Sequence, residues 1–380
     1  MQIETFKLQR LQFDYPSMVE YDLSGCGVPP LAPETLLAGE ADRAGLLSLT
    51  LGYPPVNGSL QIRERIAQFY PGSGPENVSL TCGTSEANYL ALWTLLEKGQ
   101  RLACQVPNYL QAWGLGRAYA EDVDAFHLTL AGVPGRRHWA LDVDELKRVV
   151  TPRTGVISVT NPNNPTGAAL TEDEMEAVVQ VARKAKAWLM VDEVYRGAEL
   201  DGVTTPTFWG RYDKVVIASG LSKAFALPGL RVGWVVAPPR FIEKLWLHQD
   251  YVTMTPSLVA DHLGALAMEA GRREALFDRT RAIIQQKWPQ VADWLNARSD
   301  LFTYAPPVAG AGVYLQYNLP IKSTTLIDRL RAEASVLCVP AEHFGLTKGL
   351  RLGFGGKLEK TLAGLAVTEA FMRRLRRRGG

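Results

Sequence analysis

Short apolar runs alternate with amphipathic stretches through most of this chain. The runs are apolar at nearly every position rather than at every second one, which is typical of strands that are buried on both faces of a sheet. Six of them are predicted strands: VSLTC (78–82), RLACQV (101–106), GVISVT (155–160), AWLMVD (187–192), KVVIAS (214–219) and VGWVVA (232–237).

Between two of these runs the apolar spacing changes to that of a helix. In residues 171–186, Thr171 and Glu174 have the spacing of a capping box, and Met175, Val178 and Ala182 recur at intervals of three or four. A strand, a helix and a strand in succession predict an α/β fold with a mostly parallel sheet and helices on both of its sides.

The last third of the chain has a different pattern. From about Pro256 the spacing is helical over a long stretch, and after Pro306 short apolar runs return between helical segments, as GVYLQYNL, VLCVP and GLRLGF. This pattern predicts a second, smaller α+β domain. We therefore expect an N-terminal segment over 1–40 that packs with the small domain, a large domain over 41–270 and a small C-terminal domain over 271–380.

Composition narrows the class of protein. The chain has 380 residues, of which 47% are hydrophobic and 21% charged, with a formal net charge of +2. These values are ordinary for a globular protein and do not indicate nucleic acid or an acidic surface as a partner. No apolar stretch has the length of a signal peptide or a membrane span, so the expected location is cytoplasmic, without a membrane partner. The basic run Arg373 to Arg378 is interpreted as a solvated helix end, with a nucleic-acid or lipid patch as the alternative.

The cysteines and histidines do not have the spacing of a metal site. The cysteines Cys26, Cys82, Cys104 and Cys338 are scattered without a CxxC pair, and the five histidines are dispersed. Metal sites of the zinc type need a closer spacing. The pattern predicts free thiols in a reducing compartment and no metal site.

The candidate chemistry centres on a lysine. Lys223 lies in SGLSKAFALPGLRVGW (219–234), among small and apolar residues rather than on a charged face. Asp192 ends a predicted buried strand, and Arg231 follows eight residues after the lysine. The lysine can form a Schiff base, the acid can hold a pyridine nitrogen in its protonated form, and the arginine can clamp a phosphate. Together they indicate pyridoxal 5′-phosphate (PLP) as the cofactor.

A second candidate phosphate contact precedes the helix that follows the first predicted strand. Gly83 permits a sharp turn, and Thr84 and Ser85 stand where free N–H groups and the helix dipole favour an anion. Ser222, beside the lysine, can add a hydroxyl group. The alternative roles are those of an ordinary helix cap and of turn residues.

Three further residues are candidates for contacts with the cofactor ring. Asn164 in NPNNPTG (161–167) and Tyr195 in VDEVY can donate to a ring oxygen, and Tyr109 can stack on the ring face. Trp113 is the alternative stacking residue, and loop formation and core packing are the alternative roles. As a free amine, Lys223 can also move a proton at the substrate's α-carbon.

In this order, the motifs NPNNPTG, VDEVY and SGLSK with GLRVGW resemble the class I/II aminotransferase family of fold type I PLP enzymes, from about Tyr53 to Phe354. The resemblance implies a large domain with a mostly parallel, seven-stranded-type sheet and a smaller α+β domain. It implies that Lys223 is the Schiff-base lysine, with Asp192 and Tyr195 beside it in catalysis. It assigns the cofactor contacts to Gly83, Thr84, Ser85, Tyr109, Asn164, Asp192, Tyr195, Ser222, Lys223 and Arg231.

The resemblance also implies three contacts beyond this set. Tyr53, in LGYPPVNG, would reach the phosphate of a neighbouring subunit, which implies a homodimer with shared active sites. Arg351, in GLRLGF, would bind the α-carboxylate of the substrate together with Asn164, with a structural ion pair as the alternative for the arginine. Gly27 is preferred as the glycine that covers the substrate, and Gly25 is the alternative.

One position departs from the family pattern, and one stretch bears on the substrate. Three residues before the lysine, where the family often has a hydroxyl side chain, this chain has Gly220, which leaves one phosphate contact open. Residues 246–270, from which the family often draws substrate-facing side chains, contain no lysine or arginine. A second carboxylate on the substrate would need such a cation, so this stretch argues against a dicarboxylate as the main amino donor.

The expected reaction is transfer of an amino group between an amino acid and a 2-oxo acid. The same apparatus serves lyases and cyclases, and residues 219–234 with DYVTMTPS (250–257) also resemble enzymes of the capreomycidine-synthase kind, which dehydrate and cyclise a hydroxylated arginine. A PLP-sensing regulator or a non-catalytic binding module is the third interpretation. It is disfavoured because there is no room for a DNA-binding domain before residue 40 and the net charge is near neutral.

Overall fold

The computed structural model describes residues 3–378, so residues 1–2 and 379–380 of the expected terminal segments lie outside it. The strands are β1 (Tyr21–Asp22), β2 (Val78–Cys82), β3 (Arg101–Val106), β4 (Asp122–Ala131), β5 (His138–Leu141), β6 (Thr154–Thr160), β7 (Trp188–Asp192), β8 (Val215–Gly220), β9 (Val232–Val236), β10 (Phe302–Tyr304), β11 (Gly312–Tyr317), β12 (Val336–Leu337), β13 (Val339–Pro340) and β14 (Leu350–Gly353). The α-helices are α1 (Lys7–Asp14), α2 (Glu40–Leu47), α3 (Leu60–Ala67), α4 (Thr84–Leu95), α5 (Gln111–Tyr119), α6 (Val143–Val149), α7 (Glu172–Ala185), α8 (Pro239–Gln249), α9 (Leu258–Met268), α10 (Ala270–Asn296), α11 (Ser323–Ala334) and α12 (Leu358–Arg378).

The six predicted strands are confirmed as β2, β3, β6, β7, β8 and β9, and all six are in one sheet. Neighbouring residues of a strand belong to cores on opposite faces of that sheet. In β7, for example, Leu189 and Val191 pack in one core and Met190 in the other. Burial on both faces explains why these runs are apolar at consecutive positions.

The large sheet has the strand order β2-β9-β8-β7-β6-β3-β4-β5. The pairs β3–β4, β3–β6, β6–β7 and β7–β8 are parallel, and β9 runs antiparallel to β8 and β2. The expected seven strands are therefore joined by an eighth, β5, which pairs antiparallel with β4 at the edge. These two strands have no continuous apolar run, since β4 alternates buried and more exposed residues.

The predicted helix is also confirmed. Helix α7 follows Thr171, whose side chain accepts from the backbone N–H of Glu174, while the Glu174 carboxylate accepts from the backbone N–H of Thr171. The reciprocal bonds satisfy two donors that a helix start leaves open. Met175, Val178 and Ala182 are buried on the face that packs toward the sheet.

The parallel strands determine where functional side chains meet. Strands β3, β6, β7 and β8 run in the same direction, so their carboxyl ends lie along one edge of the sheet. Tyr109 follows the end of β3, Asn164 follows β6, Asp192 ends β7, and Lys223 follows β8. Residues far apart in sequence are thereby placed side by side.

The C-terminal third forms a second sheet of antiparallel strands in the order β10-β11-β14-β13, with its own apolar core. Leu8 and Leu11 of α1 and Leu23 pack in this core, and β1 pairs with β12. The 27-residue helix α10 contributes Phe277 to the core of the large sheet and Ile284 to that of the small sheet. Helix α10 therefore belongs to both cores, and no single residue near 270 separates them. The expected domain boundaries near residues 40 and 270 stay predictions.

Two features of the surface concern partners. None of the helices within residues 3–378 is both long and apolar enough to cross a membrane. In the basic run on α12, Arg373 pairs with Asp300 at 2.9 Å and with Glu369 at 2.9 Å, and Arg376 pairs with Asp300 at 3.2 Å. The side chain of Arg378 lies outside the described part. These pairs neutralise part of the run, which favours its interpretation as a solvated helix end over a patch for nucleic acid or lipid.

Candidate active site

A cavity of about 710 Å³ lies at the carboxyl edge of the large sheet, with helix α1 along its other side. It collects side chains that the topology brings together from both sheets. The site residues predicted from the sequence that line it are Thr84, Ser85, Tyr109, Asn164, Asp192, Tyr195, Ser222, Lys223, Arg231 and Arg351.

One end of the cavity is suited to an anion. Gly83, in the left-handed region with φ of +79°, turns the chain from β2 into helix α4. A β-carbon at Gly83 would collide with the guanidinium of Arg231, so only glycine allows the arginine to lie against the helix start. The buried hydroxyl of Thr84, also at this end, has no hydrogen-bond partner. Free N–H groups, a helix dipole and an arginine are the elements of a phosphate site.

The departure at Gly220 has a steric explanation. A β-carbon at this position would lie 2.5 Å from the Thr84 hydroxyl oxygen and 2.8 Å from the backbone oxygen of Val232. A larger residue would therefore displace Thr84. The Thr84 hydroxyl, at the start of α4, lies beside the position where the family often has a hydroxyl side chain.

Asp192, at the end of β7, lines the same cavity. Its Oδ2 accepts from the amide nitrogen of Asn88 at 2.9 Å, and its Oδ1 accepts from the backbone N–H of Val194 at 3.0 Å. Burial raises the pKa of Asp192, while the hydrogen bonds from Asn88 and Val194 and the charge of Lys223 oppose that rise. A buried carboxylate with these partners is still short of a cation, which a ligand can provide.

Asn88 was missed by the sequence analysis. It lies on α4, whose residues from Ala87 to Leu92 are otherwise mostly apolar, and that polar interruption was the available signal. Its amide nitrogen also donates to Gln111 at 3.3 Å, and Gln111 in turn donates to the backbone oxygen of Ser85 at 2.7 Å. The chain Ser85–Gln111–Asn88–Asp192 thus connects the anion end of the cavity to its acid end.

Lys223 also lines this cavity, in the turn that follows β8. The backbone N–H of Ala226, which has φ of +56°, donates to the carbonyl of Lys223 at 3.1 Å, and this bond closes the turn. The lysine Nζ lies 3.6 Å from the sulfur of Cys26, and the hydroxyl of Tyr195 donates to the same sulfur at 2.8 Å. Burial raises the pKa of Tyr195 well above its ordinary value, so its hydroxyl keeps its proton as a donor.

Arg351, on β14, brings the small sheet into the cavity. Its Nη1 donates to Asn164 Oδ1 at 2.8 Å, and its Nη2 donates to the backbone oxygen of Ser24. The side chain is only 1% exposed and its Nε has no partner. Within residues 3–378 the guanidinium pairs with no carboxylate, so the alternative role as a structural ion pair finds no acid. A buried, unneutralised guanidinium is suited to a ligand carboxylate.

The predicted aromatic contacts separate in the structure. Tyr109 lines the main cavity, where its ring lies 4.8 Å from that of Phe6 and its hydroxyl accepts from Gln9 of α1. Trp113, the alternative stacking residue, lines a different cavity of about 350 Å³. Tyr109 is therefore the better placed of the two for the ring that we expect next to Asp192.

Two predicted residues lie away from the main cavity. Tyr53 is 84% exposed, so any contact it makes with a phosphate requires a second subunit. Gly27 lines a small adjoining cavity with Lys223 and Tyr195, and its carbonyl packs so closely on Gly355 that a β-carbon at that position would collide with it. The roles assigned to both residues stay predictions.

Comparisons with known proteins agree with this geometry. The family model for aminotransferase class I and II matches residues 29–366. The chain is 29% identical to capreomycidine synthase of Streptomyces vinaceus over 86% of this chain and 82% of that protein. Its fold is similar to that of a PLP-dependent aminotransferase from Streptococcus suis, with a TM-score of 0.90, 27% identity and 99% of each chain covered. It is also similar to the PLP-dependent cyclase OrfR, with a TM-score of 0.84, 27% identity, and 100% of this chain and 98% of that one covered.

Proposed function

This chain belongs to the class I and II aminotransferase family, and we propose that it moves an amino group between an amino acid and a 2-oxo acid with PLP as its cofactor. The observation that carries the proposal is the meeting of Lys223, Asp192, Arg231 and Arg351 in one cavity. Each supplies a charge or a nucleophile that this reaction needs, and they come from four separate places along the chain.

The residues present fit PLP at both of its charged ends. The dianionic phosphate matches the start of α4 with Gly83 and Arg231, where the Thr84 hydroxyl has no partner of its own. The ring nitrogen matches Asp192, whose burial favours a cationic neighbour. Lys223 lies in the same cavity as both of these groups.

When bound, PLP supplies an aldehyde that condenses with amines and a conjugated ring that withdraws electrons from the adjacent carbon. Asp192, held by Asn88, keeps a negative charge next to the ring nitrogen and so favours its protonated form. Tyr195 keeps its proton and could donate it to the ring oxygen in place of its present hydrogen bond to the Cys26 sulfur. Lys223 would hold the cofactor through its amine and, as a free amine, would take the α-proton of the substrate and return it elsewhere.

Arg351 and Asn164 orient the substrate. The carbonyl oxygen of Asn164 accepts from Arg351, so its amide nitrogen is the atom left to donate. The planar guanidinium of Arg351 can hold both oxygens of an α-carboxylate in place of its present contact with Ser24. Fixing the carboxylate places the α-hydrogen for transfer to Lys223.

The remainder of the cavity favours a substrate whose side chain carries no charge. The segment that begins at α1 contributes Phe6, Leu8, Gln9, Gln12 and Phe13, which are apolar or neutral amides. The cations that line the cavity are Lys223, Arg231 and Arg351, and each already has a role. We therefore propose an amino donor other than a dicarboxylate.

We also propose a homodimer in which Tyr53 completes the site of the other subunit. Large apolar side chains that precede this residue in the sequence are exposed on the single chain, namely Leu47 and Leu51. Exposed apolar patches of this kind mark association surfaces. A cross-linked or light-scattering mass of one subunit under assay conditions would contradict the dimer.

The test is a half-reaction with no acceptor present. Purified holoenzyme is mixed with a panel of amino acids, and the visible absorption of the bound cofactor and the released 2-oxo acid are measured together. We expect one 2-oxo acid per active site, no free ammonia and no further turnover until an oxo acid is added. The matched variant Lys223→Ala should release none, because the group that moves the proton is gone.

A second candidate function is that of a cyclase or lyase, and the similarity to capreomycidine synthase and to OrfR favours it. The same residues would bind the substrate and remove its α-proton, but a leaving group on the next carbon would then depart. In the half-reaction this enzyme would turn over repeatedly without any acceptor and would form a cyclised or dehydrated product. Such a result would replace the aminotransferase proposal.

A further inference from the structure

Cys26 lies inside the cavity at a position that the backbone holds firmly. It is 7% exposed and lies between Gly25 and Gly27. The carbonyl of Gly25 packs against Gly353 at the end of β14, and the carbonyl of Gly27 packs against Gly355. A β-carbon at Gly353 or Gly355 would collide with the facing carbonyl oxygen. The thiol therefore has little freedom to leave the cavity that Lys223 and Arg351 also line.

The surroundings of the thiol are unusually cationic. Its sulfur accepts from Tyr195 Oη at 2.8 Å and lies 3.6 Å from Lys223 Nζ. The other titratable and charged groups that line the cavity next to it are Lys223, Arg231, Arg351, Tyr195, Tyr109 and Asp192. Asp192 is the one acid of this set, and Asn88 and Val194 already bond to it.

The pKa values follow this arrangement. Burial alone would raise the pKa of Cys26, but the charges of Arg351 and Lys223, with the hydrogen bonds from Tyr195 and Lys223, lower it to about 6. Cys104 and Cys338 are equally buried, and burial raises the pKa of each to about 12. The difference arises from the neighbours of Cys26 and not from burial itself.

A second observation indicates a place for negative charge here. Arg351 lines the same cavity, its side chain is 1% exposed, and its buried Nε has no hydrogen-bond partner. Among the described residues that line this cavity, the acid that could offset Arg351 and Lys223 is Asp192, which already accepts from Asn88 and Val194. An ionised thiol offsets this excess of positive charge.

We propose that Cys26 is a positioning residue of the active site, present as a thiolate that stabilises positive charge on the nitrogen of Lys223 and is reached by small molecules through the cavity. Cys26 has this effect on the cofactor only if Lys223 is the cofactor lysine, as the proposed function states. The claim that the thiol is ionised and accessible does not depend on that assignment. One measurement therefore tests the state of the thiol, and a second tests its effect on Lys223.

The first measurement is alkylation of the holoenzyme. Short pulses of iodoacetamide between about pH 5 and about pH 9 are quenched, and each cysteine peptide is quantified by mass spectrometry. We expect labelling of Cys26 to rise with a midpoint near pH 6 and to be level at neutral pH. Exposed Cys82 is the reference, and Cys104 and Cys338 should stay unlabelled. An unlabelled Cys26, or a midpoint of about 8.5 as in a model thiol, overturns the proposal.

The second measurement is the pH midpoint of the cofactor's visible absorption band. In Cys26→Ser the negative charge is gone, so the protonated form of the lysine-linked cofactor is less favoured and the midpoint falls by about one pH unit. Cys104→Ala, which removes a buried thiol far from the charges, should leave it in place. An unchanged midpoint in Cys26→Ser overturns the role toward Lys223. Complete lack of a visible band in the wild type would instead contradict the proposed function, and the alkylation result would still stand.

Discussion

Replacement of Asn88 by leucine is expected to weaken cofactor binding without touching any group that contacts the substrate. Asn88 Nδ2 donates to Asp192 Oδ2 at 2.9 Å. Leucine has a similar size but no donor, so one of the bonds that hold the carboxylate in its charged form is lost. Asp192 must be charged to favour a protonated ring nitrogen, and burial already raises its pKa. The substitution raises that pKa further.

The magnitude follows from the bond that is lost. A hydrogen bond to a charged group contributes about 1.5 to 3 kcal/mol, and about 1.4 kcal/mol corresponds to one pKa unit. The pKa of Asp192 should therefore rise further above its ordinary value. If the same free energy is lost from the contact with the ring nitrogen, the dissociation constant for PLP rises by about 10-fold to 100-fold.

The assay is a titration of the apoprotein with PLP, followed by tryptophan fluorescence at several pH values. Asn77→Ala is the matched control, because Asn77 is also a buried amide whose Nδ2 donates at 2.9 Å, but to the backbone oxygen of Ala237 away from the cavity. The Asn77→Ala substitution should lower the free energy of unfolding of the protein and leave its affinity for PLP unchanged. Affinity in Asn88→Leu within twofold of the wild type, with both proteins folded, would refute the reasoning about Asp192.

Two other substitutions test separate parts of the site. Arg351→Lys keeps the charge but loses the planar pair of donors, so KM for amino donors should rise by about 100-fold. The visible absorption of the bound cofactor should stay the same. An unchanged KM in steady-state assays would exclude Arg351 from carboxylate binding. Gly83→Ala puts a β-carbon against Arg231 at a φ of +79°, so PLP affinity should fall at least about tenfold. Gly114→Ala, where a β-carbon meets open space, is its control, and equal affinity in the two variants would contradict the phosphate assignment.

The sheet was predictable where both of its faces are buried. The runs that became β3, β6, β7, β8 and β9 are apolar at consecutive positions because the two cores take alternate residues of these strands. In β2, Val78 and Leu80 belong to one core, and the alternate residues Ser79 and Thr81 are buried but polar. Strand β4 was missed because it lies near the edge and alternates in burial, and its short partner β5 has only four residues. Edge strands have too little buried surface to show a continuous apolar signal.

The positions of Lys223, after β8, and Asp192, at the end of β7, were predictable because each follows or ends a buried strand that the apolar pattern marks. A residue's role was not predictable where it depends on contact between distant segments. Asn88 bonds to a residue 104 positions away, and Cys26 faces a lysine 197 positions away. No spacing rule along the chain signals such pairs, because the fold alone brings them together. The polar Asn88 among the mostly apolar residues of α4 signals a special position, but it does not identify Asp192 as the partner.

The most direct test of the account is reduction of the holoenzyme with sodium borohydride, followed by proteolysis and peptide mass spectrometry. Borohydride fixes the cofactor to whichever amine holds it. We expect the phosphopyridoxyl mass on the peptide that contains Lys223. In Lys223→Ala this added mass should be missing. Modification of a different lysine, or no modification in protein saturated with PLP, would contradict the assignment of Lys223 and with it the proposed reaction.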